Sequence, residues 1–366
     1  MRILLTSTLL AATLTASLAS AADIYRLKSG TPDLQSAGPL AFGPDGILLI
    51  GDNKGAAIFG IQTGDKTGNP ASVDIQIAGL NAKLAQALGA DSQAVQINDL
   101  AVNPASGNVY LALSVSNQPV IAKIDGQGQI SRVPLKDIPF SKAVIPNAPE
   151  DKLVGPEGRQ RNLRMSTITD LAFVDGQVIV SGMTNNTSAP TNVRSLNFPF
   201  DQVGSGSNLE IYHAAHARTE ENAQIRTFVP FTIDGKPSLL AGFVCTPLVQ
   251  FDLSALQGSE KVKGKTVAEL GNRNQPLDMV VYKKDGQNWL LMANSARGVM
   301  KVSTKDIENN AGLTEPVRGG GTAGQPYETI ASLQGVEQLD KLNDAMAVVL
   351  IKTGDGAYDL RTVPLP

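Results

Sequence analysis

The sequence predicts an all-β chain built as a β-propeller, with six blades and seven as the alternative count. Three observations predict it. A turn-centred unit recurs six times, at Leu40–Ile50, Leu100–Ala112, Leu171–Val180, Val229–Leu240, Met279–Met292 and Ala345–Ile351. The units follow one another at near-regular intervals of 60, 71, 58, 50 and 66 residues. The stretches before the first unit and after the last are each too short for a four-stranded sheet, and together nearly fill one. Radial repetition of small sheets buries the flat faces of neighbouring blades against each other.

Each unit is an apolar run, usually a turn, then a second apolar run. The turns hold Gly46, Gly107, Gly176, Gly235 and Gly286. Glycine adopts the positive φ that a tight hairpin turn demands, and the flanking β-branched residues favour strands. A third strand follows in several units, as at Ala57–Ile61, Val120–Ile124, Leu248–Leu253 and Gly298–Val302. The N-terminal strand around Ile24–Leu27 is expected to complete the last blade and close the ring. Insertions interrupt the repeat near 79–96, 134–166, 185–208 and 308–326. The first holds Leu80, Leu84 and Leu88 at helical spacing with Gly89 as the cap. The second carries five prolines and reads as a long irregular loop. The glycine run at 319–321 does not sit between a strand and a helix, so it is no phosphate cradle.

The unit Ile97–Leu111 resembles the repeat of bacterial exported propellers of the gluconolactonase and NHL-repeat type. The resemblance spans most of the chain and implies the propeller fold. Quinone-dependent dehydrogenase propellers carry a docking repeat that ends in Trp. A single Trp, Trp289, does not supply it.

Composition narrows the rest. The 366 residues carry a net charge of −3, so the basic face typical of nucleic-acid proteins is not expected. The single cysteine, Cys245, excludes a disulfide scaffold and a four-Cys zinc site. The N-terminus reads as a leader: Met1-Arg2, an apolar stretch from Ile3 to Leu18, and a small-residue cleavage site at Ala19–Ala21. A single domain spanning 22–366, periplasmic or secreted, is therefore expected. No later run reaches the length of a membrane span.

Three sets of residues are candidates for chemistry on the loop face. Asp99, Asp170, Asp278 and Asp344 precede inner strands in a common register. Carboxylates converging on the axis would call for a cation, and oxygen ligands suit calcium. In gluconolactonase-type propellers carboxylates and Asn hold a metal at this mouth, and these positions resemble that set. The pattern departs at Gly38-Pro39 and Thr227-Phe228. The structural alternative is that each Asp caps backbone N–H groups of its own turn. Both histidines, His213 and His216, share a segment with the face that carries Cys245. That trio would suit copper or zinc. The structural alternative there is a turn-capping His and a small buried Cys. Arg164, Arg273, Arg297 and Asn294, with Arg226 nearby, offer an anion-binding set, unless the arginines pair with Asp170 and Asp278. No G-x-S-x-G, H-E-x-x-H, EF-hand or Walker pattern occurs. Three readings result: a propeller that binds a small molecule, metal or protein without catalysis; a metal-dependent lactonase or other hydrolase using the Asp ring; and a copper or redox protein using the His/His/Cys set.

Overall fold

In the computed structural model, residues 21–258 and 261–366 are described. The leader residues up to position 20 lie outside them. No helix among the described residues is long and apolar enough to cross a membrane.

Six antiparallel sheets form a six-blade propeller, as the repeat predicts. We number the blades by the chain order of their inner strands. These are Leu40–Phe42, Val95–Val102, Asp170–Val174, Ile225–Ile233, Pro276–Lys284 and Val336–Lys341. Blades 3, 4 and 5 turn from first to second strand through two residues, Asp175-Gly176, Asp234-Gly235 and Asp285-Gly286. Both residues of each pair have positive φ, near +50° for Asp and +71° to +80° for Gly. Such turns match the right-handed twist of the strands they join.

The blades do not follow the ring in chain order. The inner strand of blade 1 packs between those of blades 2 and 3, and that of blade 2 packs against blade 6. The spatial order is therefore 2-1-3-4-5-6. Six apolar clusters fill the six interfaces; one joins blades 2 and 6, another blades 1 and 3. The chain achieves this order by crossing over early. After its third strand, blade 1 releases the chain toward blade 6. There Gln76–Ile77 pairs with Leu360–Arg361 as the outermost strand. Helix Leu80–Leu88 then seals blades 2 and 6 with Leu80 and Leu84, both fully buried. Blade 2 follows, and Ile138–Val144 returns to become the fourth strand of blade 1.

Three expectations are corrected here. Ile24–Leu27 is not a strand and does not close the last blade: Ala21–Ile24 is a short helix, and the strand that follows, Lys28–Gly30, pairs with Ile138–Phe140 on the outer edge of blade 1. That strand is short and its side chains exposed, whereas Ile77 enters a core. The region 134–166 is not wholly a loop, because it contains that fourth strand. Likewise 185–208 contains Thr191–Asn197, the third strand of blade 3. Finally, Ala345–Ile351 belongs to the second strand of blade 6. Its inner strand, Val336–Lys341, has only Val336 and Leu339 as apolar residues, with Glu337 and Gln338 between them at a register shift, and so lacks the apolar run that marks the others.

Candidate functional site

The axial channel is a cavity of about 380 Å³ bordered by Asp99, Asp170, Asp278 and Asp340. Asp340, not Asp344, holds the register position in blade 6. Asp344 lies in the hairpin turn, its side chain 99 % exposed beside Lys341. The four ring carboxylates do not form a compact ligand set. Each accepts the backbone N–H of the residue that follows it. Each also reaches into a neighbouring blade: Asp99 to Leu40 N at 2.6 Å, Asp170 to Phe228 N at 2.7 Å, Asp278 to Leu339 N at 2.9 Å and Asp340 to Val102 N at 2.7 Å. They clasp four of the six blade interfaces. Asn53 makes the same contact between blades 1 and 3, accepting from Ile168 N at 2.8 Å.

Burial away from bulk water raises all four carboxylates. Asp170 is pushed up to about 7 and Asp340 to about 6, in each case against two stabilising N–H groups. Asp99 and Asp278 rise well above the usual carboxylate range, through burial and through repulsion from the other members of the ring. Carboxylates whose oxygens each accept backbone N–H groups from two blades serve as clasps between the blades.

The histidines sit on a hairpin of blade 3. Ser207–His213 pairs with Arg218–Glu220 in the register Ile211↔Glu220 and His213↔Arg218. One 3-10 turn, Ala214–His216, joins the strands. Residues three apart eclipse in a 3-10 turn. His216 is thus folded over His213, with ring centroids 3.8 Å apart and planes 33° apart. Glu220 lies diagonally across the hairpin on the face of His213, within side-chain reach. Its two carboxylate oxygens accept from His213 Nδ1 and His216 Nδ1, each at 2.8 Å, and from Arg218 Nε at 2.8 Å. Burial alone would raise this carboxyl. The three donors overcome it and hold Glu220 down at about 2.

With both Nδ1 atoms donating to Glu220, the lone pairs fall on Nε2. His213 is 1 % exposed, burial lowers its pKa, and its Nε2 is buried without a hydrogen-bond partner. The rings open onto a cavity of about 260 Å³ also lined by Met183, Asn222, Gln224 and Cys245. Donor atoms of His213, His216 and Glu220 lie within 4.8 Å of one another. Cys245 borders the cavity but stands outside that cluster. It occupies a strained turn: Cys245 and Thr246 have φ of 66° and 56°. A β-branched residue there is an outlier. The turn is held by Cys245 N to Asn274 O at 2.8 Å and Thr246 Oγ1 to Gly271 O at 2.5 Å. Beneath the histidine turn, Glu269 accepts from Ala215 N at 3.1 Å, and burial raises it to about 7.

The remaining basic candidates do not assemble. Arg164 binds the carbonyls of Lys54 and Pro149. Arg297 packs its guanidinium against Gly271, which is free of a Cβ, and donates to Asn272 O at 3.2 Å. Asn294 is buried, caps the turn at Ala296–Arg297 and donates to Asn274. Arg273 is exposed on the adjacent turn. None of the four lines the axial channel or the histidine cavity. Sequence reasoning missed Glu220 and Asp340. A signal existed for Glu220, because Arg218-Thr-Glu220 alternates across the turn from His213.

No protein-family profile and no curated protein matches the chain. Solved structures similar to it include the PQQ-bound aldose sugar dehydrogenase of Streptomyces coelicolor. That match has 13 % identity, covers 92 % of this chain and 97 % of that one, and has a TM-score of 0.33. A glucose dehydrogenase-type oxidoreductase of Thermus thermophilus matches at 13 % identity, 92 % and 99 % coverage and a TM-score of 0.37. The extracellular region of plexin A4 matches at 9 % identity over 92 % of this chain and 47 % of that one, with a TM-score of 0.42. At these identities no chemistry carries over. The strand pairing itself makes the chain a six-blade β-propeller.

Proposed function

We propose that this is an exported, ligand-binding propeller of the broad NHL-like kind. Its loop face holds one transition-metal ion, zinc or copper, between His213 and His216. One observation carries the reading: two stacked imidazoles hang by Nδ1 from a single buried carboxylate. Metal-ligating histidines typically donate their other N–H to a carboxylate, which fixes the tautomer and the ring. Glu220 does this for two rings at once. With three donors on its oxygens it acts as the orienting group, and the two Nε2 atoms are the ligands. An unpartnered buried Nε2 is costly unless something completes it. Imidazole nitrogens with a thiol bordering the same cavity suit zinc or copper rather than calcium. The leader-like N-terminus supports an address outside the cytoplasm. The hydrolase alternative has less support, because the ring carboxylates are committed to backbone N–H groups.

Isothermal titration of the metal-free protein with Zn²⁺ and Cu²⁺ tests this. Wild type should bind one ion. His213→Ala should abolish binding, Glu220→Gln should weaken it about 10- to 100-fold, and Cys245→Ser should change it little. Binding that survives His213→Ala and vanishes in Cys245→Ser would place the metal elsewhere.

A further inference from the structure

Beside the histidine cavity a second one, about 440 Å³, forms the mouth of the axial channel over blades 1, 2 and 3. Its volume lies in the range of small-molecule sites. The two cavities share Gln224, and the inner strands run from this mouth straight into the Asp-lined channel. Amides (Gln35, Gln96, Asn98, Gln224 among them) and hydroxyls line the mouth together with apolar residues such as Ile97 and Met165, and its charged residues are the two cations, with no Asp or Glu.

The two cations are Arg226 and Lys54. Arg226 enters from the inner strand of blade 4, and its Nε is buried with no hydrogen-bond partner. Two residues earlier, Gln224 Nε2 is also buried and unpartnered. Asp170 lies close enough to favour the charged guanidinium. Its oxygens, however, already accept from Leu171 N and Phe228 N. Buried donors without partners carry a desolvation cost that a ligand can remove. An Arg fork flanked by amides is the usual arrangement for one anionic group on a polar body.

We propose that the channel mouth binds a small polyhydroxylated anion with one charged group: a sugar-sized molecule whose carboxylate or phosphate sits on Arg226, with its hydroxyls on the surrounding amides. The site is independent of the metal. Arg226, Lys54 and Gln96 touch the mouth alone, and His213 and His216 touch only the neighbouring cavity.

Titration calorimetry on the full chain, with EDTA present, tests this with three probes: D-glucuronate, glucose 6-phosphate and D-glucose. One of the two anions should bind, and which one does distinguishes the carboxylate from the phosphate. Neutral glucose should bind at least ten-fold more weakly. Arg226→Met should weaken the anion at least ten-fold. Because Arg226 is partly buried, exposed Lys54→Met serves as the second variant and should weaken it several-fold. His213→Ala should leave the affinity unchanged. Equal binding of glucose, no binding of either anion, or unchanged affinity in both Arg226→Met and Lys54→Met would each overturn the proposal.

Discussion

Glu220 shows how much one residue decides here. It is buried, it fixes both imidazole tautomers, and it keeps its charge because three donors surround it. Arg194 is the contrasting case. It is 1 % exposed in the third strand of blade 3, donates to Pro146 O at 3.1 Å, and leaves Nε and Nη1 buried without partners. Burial drops its pKa to about 10. An uncompensated buried cation costs stability that an apolar side chain of like length does not. Arg194→Met is therefore expected to raise the thermal midpoint by a few degrees; a fall would contradict this reading. The channel acids give a pH dependence with a definite sign. Their folded pKa values lie above the unfolded value of 3.8, as at about 7 for Asp170 and about 6 for Asp340. Their contribution is complete below pH 4 and is lost as pH rises through 6 to 7. Glu269 acts in the same sense. His213, lowered by burial, opposes it only below about 6.5, and Glu220 acts below its unfolded value of 4.5. The midpoint should thus fall between pH 5 and pH 8, on the order of 5 °C, and the slope should shrink in Asp278→Asn. A flat profile would show that these carboxylates are ionised in the folded protein.

Among the elements, those written in local chemistry were the legible ones. Asp-Gly pairs between apolar runs announced three hairpins, and Leu80, Leu84 and Gly89 announced the helix. The inner strand of blade 6 was not legible, because Glu337 and Gln338 break its apolar run and Asn343, not glycine, shapes the turn after it. Its Oδ1 accepts from Ala345 N and Met346 N. The same shift moved attention from Asp340 to Asp344. The histidine pair was legible as chemistry, but its orienting acid came from strand register, which spacing alone does not specify. Closure of blade 6 by Gln76–Ile77 rests on a pairing across more than 280 residues. It makes a sharp prediction. Ile77→Asp puts a charge into the core between blades 2 and 6 and should cost at least about 3 kcal/mol in denaturant unfolding. Ser29→Ala, on the exposed strand Lys28–Gly30 that follows the segment expected to close the ring, should cost less than about 0.5 kcal/mol. Equal costs would return the closing role to the N-terminus.

On the scale of the whole molecule, the order 2-1-3-4-5-6 ties residues 28–144 to three blades at once. The crossing segment is pinned where it passes blade 2. Asp65 accepts from Ser106 Oγ and Asn108 Nδ2 at 2.9 Å and from Tyr110 OH at 3.0 Å. Asp65→Ala strands all three donors and should cost roughly 2–3 kcal/mol. Unfolding should remain one transition, with far-UV circular dichroism and Trp289 fluorescence coincident. Separate transitions would mean that blades 1, 2 and 6 fold as a unit apart from blade 5. The interlocked ring holds the histidine cavity and the channel mouth side by side across Gln224.

The proposal that a metal is held between His213 and His216 is tested most simply by elemental analysis of the protein, purified with neither added metal nor chelator, beside the His213→Ala/His216→Ala double variant. The wild type should carry about one zinc or copper per chain, and the variant only background levels. Wild-type protein free of both metals, or a variant that retains them, would contradict the assignment.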